Sequence, residues 1–189
     1  MPRAEPAVKR RSARRSSRSR ILVVCGGERT EPTYFKGLRD SLNNKAVDIK
    51  VVSKGRAPAQ VVDYAVAQRT PDFDEVWCVL DVDEFDLVDA VQLAREHDIN
   101  LAVSNPCFEL WLLLHYADCR TYCVGYRGVA MLLRRYLPSY DKTRLDYVDY
   151  APGVVDAIRR AKDLDSTGND YRKNPSTGVW RLVELLMES

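Results

Sequence analysis

The sequence predicts an α/β fold: a four-stranded parallel sheet flanked by helices, with a helical C-terminal extension. Two observations carry that prediction. Between residues 21 and 116, short apolar runs rich in β-branched residues alternate four times with stretches of helical apolar periodicity. Such a succession favours a parallel sheet covered on both faces. Beyond residue 116 the strand signal stops and only helical stripes recur.

The first run, Ile21 to Cys25, ends at two glycines in VVCGGERTEPTYF. A helix follows from Glu31 to about Asn44, with Tyr34, Phe35, Leu38 and Leu42 on its inner side and Pro32 in the first turn, where a missing N–H is tolerated. Val47 to Val52 alternates as a strand, and Pro58 to Gln68 carries the stripe Val61, Val62, Ala65 and Val66. The third run, Glu75 to Leu80, leads into a helix from Asp86 to His97, with Val88, Val91, Leu93 and Ala94 facing inward. The fourth, Ile99 to Val103, stops at Ser104-Asn105-Pro106 and opens the most apolar helix, Cys107 to Tyr116. In the last third, Arg127 to Leu137, Pro152 to Leu164 and Pro175 to Met187 read as helices, and Ser166 to Pro175 as a polar loop.

A chain of 189 residues suits one domain, placed at residues 20–189 after a basic tail at 1–19. Residues 1–20 sum to +7 and the remainder to −5, within a net charge of +2. The tail is too polar to order itself and is expected to be disordered, either as a solvated extension or as an arm adding salt-dependent affinity for nucleic-acid phosphates. No run of about 18 apolar residues is present and no apolar segment follows the basic start, so neither a membrane span nor secretion is expected. Five cysteines, an odd number without a CxxC pair, fit reduced thiols and a cytoplasmic location. His115, Cys119 and Cys123 repeat every four residues; a zinc site normally takes four ligands, so a reduced, partly buried cluster is the favoured reading.

Open parallel sheets gather ligands past the carboxyl ends of their strands. Those positions here hold Gly26, Gly27, Glu28 and Glu31; then Lys54 and Arg56; then Asp81, Asp83 and Asp86; then Ser104, Asn105 and, a turn into the helix, Glu109. GGERTEP has neither the third glycine of GxGxxG nor the GK[ST] ending of a P-loop, and it presents carboxylates rather than bare N–H groups. Asp81 and Asp83, two apart, project to the same side of an extended backbone. Packed carboxylates repel, and a hard cation such as Mg²⁺ or Mn²⁺ would neutralise Asp81 and Asp83, with Glu28 or Glu31 as a third ligand. Simpler roles remain open: Asp83 and Asp86 as helix caps, Thr30 as a cap with Glu31 favouring the helix dipole, and Glu109 in SNPCFE likewise. Lys54 and Arg56 suit phosphate or merely balance the acids. Ser104, Asn105, Lys142 and Lys173 are assigned with them to phosphate or nucleic-acid binding.

Four segments, VVCGGERTEPTYFKGL, CVLDVDEF, SNPCFELWLLLHY and NPSTGVWRLVELL, occur in this order. Together they resemble the RloB-like proteins from about Ile21 to the C-terminus. The resemblance implies a Toprim-like fold and a place in prokaryotic anti-phage or abortive-infection systems, with an AAA- or ABC-type ATPase partner from a neighbouring gene. It also implies Mg²⁺-dependent cleavage of DNA or RNA phosphodiesters, with Glu28, Glu31, Asp81 and Asp83 as catalytic acids and the metal on Asp81, Asp83 and Glu28. One position departs from the pattern. Toprim proteins place a glutamate immediately before the glycine after the first strand, where this chain has Gly26. Either Glu28 or Glu31 substitutes, or the chain is a catalytically weak or inactive module that binds nucleic acid or a partner. Oligomer formation is also possible, since LLHYADCRTYCVGY suits an interface as well as a core.

Overall fold

The computed structural model describes residues 19–51, 57–82 and 86–188. The tail through residue 18 and the candidate residues Lys54, Arg56 and Asp83 lie outside them. Strands β1 (Ile21–Cys25), β2 (Val47–Val51), β3 (Glu75–Asp81) and β4 (Asn100–Asn105) alternate with helices α1 (Thr30–Ser41), α2 (Pro58–Gln68), α3 (Val88–Glu96) and α4 (Glu109–Leu114). Then follow α5 (Gly125–Leu133), α6 (Val154–Leu164), β5 (Ser176–Thr177) and α7 (Val179–Glu188). No helix among the described residues is long and apolar enough to cross a membrane.

The sheet has five strands in the order β2-β1-β3-β4-β5, one more than the sequence predicts. The first four pair in parallel, whereas β5 runs antiparallel against Ser104 and Asn105 of β4. Residues 176–177, expected to begin the closing helix, form this strand instead, and the helix starts at Val179. Two residues are too few to show a period of two, so nothing local announces the strand. Its anchors are distant in sequence: the Ser104 and Thr177 hydroxyls lie 2.9 Å apart, and Asn105 Nδ2 donates to the Tyr171 carbonyl at 2.8 Å.

Alternation along the strands splits the core in two, because successive side chains leave opposite faces. Ile21, Val23, Cys25, Trp77 and Val79 pack with α1 and with α4 to α7. Leu22, Val24, Val76, Cys78 and Leu80 meet α2 and α3. The chain leaves β1 over one face to reach the edge strand β2, then returns over the other face to β3. The order of connection therefore reverses between β1 and β3, and a crevice opens beyond their carboxyl ends.

Candidate functional site

A pocket of about 620 Å³ occupies that crevice, lined among others by Gly27, Glu28, Glu31, Asp81, Glu109 and Lys142. Three acids reach it from three elements. Asp81 ends β3, Glu31 stands in the first turn of α1, and Glu109 opens α4. Glu31 and Glu109 are only 6% and 5% exposed, which is unusual for carboxylates and sets them apart from the exposed Glu28 on the same wall.

Glu31 owes its position to a glycine. Its carboxylate folds back over Gly27, where a Cβ would overlap it, and the N–H of Gly27 bonds to it. Burial, together with the nearby charge of Glu109, raises its pKa from 4.5 to about 7, although the Gly27 N–H and the Lys142 ammonium pull the other way. Thr30 does not cap α1 as the simpler reading has it: the N-cap is Arg29, with no side-chain bond, and the Thr30 hydroxyl donates instead to the Lys142 carbonyl at 3.4 Å. A side chain at position 26 would approach the Val79 carbonyl at 3.3 Å and Leu80 at 3.5 Å, on the side of the sheet covered by α2 and away from Glu31.

Glu109 is more than a cap. It accepts a hydrogen bond from the Tyr140 hydroxyl at 2.9 Å, in a buried contact 31 residues apart. Burial and the Glu109 charge push the Tyr140 pKa up, so the phenol stays a donor. Cys107, also in the pocket, is raised by burial first and then by the charges of Glu109 and Asp81, which keeps it a thiol. Tyr140 went unmarked in the sequence: the segment around it has no period and no motif, and its link to Glu109 is purely tertiary.

Lys142 is exposed and holds the opposite rim, its ammonium 4.9 Å from the centre of the Tyr126 ring. The other candidates go elsewhere. Ser104 and Asn105 are buried in the anchoring of β5, and Lys173 donates to the Leu164 carbonyl. Asn174 bridges the backbone of Cys123, accepting from its N–H at 2.9 Å and donating to its carbonyl at 3.0 Å. Asp86 accepts the Val88 N–H at 3.0 Å from one residue before the N-cap of α3, which is Leu87. His115 sits between Tyr34 and Trp111, with Nδ1–H donating to the Trp111 carbonyl at 2.9 Å and Nε2 accepting from the Tyr34 hydroxyl at 3.0 Å. Cys119 and Cys123 are free thiols with sulfurs 3.2 Å apart.

No three His, Cys, Asp or Glu side chains among the described residues stand together closely enough to hold a metal by themselves. The donor chemistry of the pocket nevertheless suits one kind of ion. Mg²⁺ takes oxygen ligands and is commonly held through one or two carboxylates, with waters and substrate phosphate completing the shell.

The model of the RloB-like protein family matches residues 21–186 of the chain. No curated protein and no solved structure matches.

Proposed function

The chain belongs to the RloB-like protein family, and from that premise we propose that its acidic pocket is the site of a Mg²⁺-dependent nuclease cleaving DNA or RNA phosphodiesters. The observation that supports this most is the convergence of Asp81, Glu31 and Glu109, from β3, α1 and α4, on one pocket at the reversal point of the sheet. Asp81 and Glu109 would hold the ion, with Asp83 as a further carboxylate. The ion would polarise the phosphate and make its bound water a stronger nucleophile.

The chain's own groups divide the remaining work. Lys142, on the rim, pairs with a phosphate oxygen and draws the backbone toward the acids. Glu31, folded into the pocket over Gly27, is placed to take the proton of the attacking water. Tyr140, by donating to Glu109 Oε1, would orient this carboxylate for the ion. On the family resemblance, the proposal includes a Toprim-like architecture and service in phage defence beside a partner ATPase.

One observation favours a second reading, a binding module with little or no cleavage: the described acids do not by themselves form a three-ligand group. The same experiment separates the two. Purified protein is incubated with end-labelled DNA and RNA in Mg²⁺ or Mn²⁺, beside Asp81→Asn and Glu31→Gln. Ion-dependent cleavage lost in both variants is the expected result. Cleavage that survives Asp81→Asn removes the pocket from the mechanism, and binding without cleavage establishes the module.

A further inference from the structure

We infer that the surface formed by α5 and its flanks, running away from the pocket rim, is a binding track for single-stranded nucleic acid. Residues 119–144 contain six arginines and lysines against one aspartate, in a chain whose residues 21–189 sum to −5. Arg127, Met131 and Arg134 recur at positions one and two turns apart and are exposed, while Val129, Ala130 and Leu133 face the core, so the helix turns a basic stripe outward. Of the segment's cations Arg120 pairs with Asp163 at 3.5 Å, but among the described residues none of Arg127, Arg134, Arg135 and Lys142 forms an ion pair, whereas Arg20, Arg39, Arg69, Arg159, Arg160 and Lys162 all do. Acidic side chains therefore leave these four charges unspent.

Aromatic faces interleave with the cations. Tyr122, just before α5, is 73% exposed, and Tyr136, just after it, is 52% exposed. Exposed aromatic rings set among arginines suit unpaired bases, which stack on them; bases inside a duplex have no free face to offer. Side-chain contacts link the track to the pocket. Arg134 lies 5.8 Å from the Tyr140 ring centre and its Nε donates to the Tyr140 carbonyl at 3.4 Å, and Tyr140 holds Glu109. At the mouth, Lys142 covers Tyr126. Glu31 and Glu109 are nearly fully buried behind this rim and Asp81 is half-buried, so a phosphate reaches them on a strand able to bend inward, which favours a single strand over a duplex.

The inference extends the reading of the pocket as a phosphodiester site, yet its test needs no cleavage. Fluorescence anisotropy in EDTA, on the full chain, measures affinity for single-stranded DNA, single-stranded RNA and duplex DNA of one length across a salt series. The basic N-terminal tail by itself favours the duplex, whose charge density is higher. A preference for single strands therefore reports the track, and the two single-stranded arms show which sugar it accepts. Arg127→Glu with Arg135→Glu is expected to weaken single-strand binding about tenfold or more and to reduce the slope of log K against log salt by about 1.4, at ~0.7 per phosphate contact. Tyr122→Ala should weaken it by about five- to a hundredfold. Duplex bound as tightly as single strands, unchanged affinity in folded variants, or equal displacement by polyglutamate would each overturn the inference. Track binding without ion-dependent cleavage would leave it standing and sink the nuclease proposal alone.

Discussion

Replacing Glu31 by glutamine should make the protein more stable at alkaline pH and leave it nearly unchanged in acid. Glu31 is 6% exposed, and burial beside Glu109 lifts its pKa from 4.5 to about 7. Between those values the folded protein binds more protons than the unfolded chain, so this group's contribution falls as pH rises from about 4.5 and is fully lost above about 7. The difference corresponds to roughly 3 kcal/mol at pH 8. Glutamine keeps an acceptor for the Gly27 N–H and carries no charge, so Glu31→Gln should gain about 2–3 kcal/mol at pH 8 in EDTA and close to nothing at pH 4.5. For a chain of this length that is about 5–10 °C in Tm. Urea unfolding of both proteins at several pH values reads it directly. The comparison must be a difference, because His115 works in the opposite sense. Burial pushes its pKa from 6.5 down to about 4, so its contribution is lost as pH falls through that range and masks Glu31 in the parent protein. A gap between parent and variant that is flat with pH, or a variant less stable at pH 8, would refute the account of Glu31 as a buried, repelled carboxylate.

Three further outcomes are expected. Gly27→Ala should displace the Glu31 carboxylate, costing about 1–3 kcal/mol in urea unfolding and cleavage activity with it; an active, equally stable variant would mean that the glycine does not shape the pocket. Tyr34→Phe strips the buried Nε2 of His115 of its donor and should cost about 1–3 kcal/mol, with a cycle against His115→Phe showing strong coupling; additive losses would argue against the 3.0 Å bond. Mild treatment with a small disulfide reagent should link Cys119 to Cys123, whose sulfurs are 3.2 Å apart, before it touches Cys25 or Cys78 inside the sheet; peptide mapping without reductant decides the order.

The four parallel strands and the crevice beyond them were legible because each strand is a continuous apolar run and each crossover helix has its own stripe. Strand β5 was not, being two residues long and held by Ser104 and Asn105, whose place past a strand end suits phosphate equally well. The same limit applies inside the site. Asp81 announces itself at a strand end, but whether Glu28 or Glu31 enters the pocket depends on the room above Gly27, which only packing reveals. Glu109 reads from its position as a helix-terminal charge, because its bond from Tyr140 spans 31 residues and leaves no local signal. Lys142 and Lys173 were alike in sequence. One reaches the rim because Thr30 binds its backbone, and the other is turned toward the Leu164 carbonyl.

The segment that carries Tyr140 and Lys142 touches both helices whose first turns supply acids: Tyr140 reaches Glu109 of α4, and the Lys142 backbone is reached by Thr30 of α1. Moving this wall outward therefore takes a proton donor from one carboxylate and a nearby ammonium from the other in the same motion. Access and charge in the pocket would then be mechanically one variable: an outward displacement of this wall would let water reach the acids, and its return would restore the fixed donors around them.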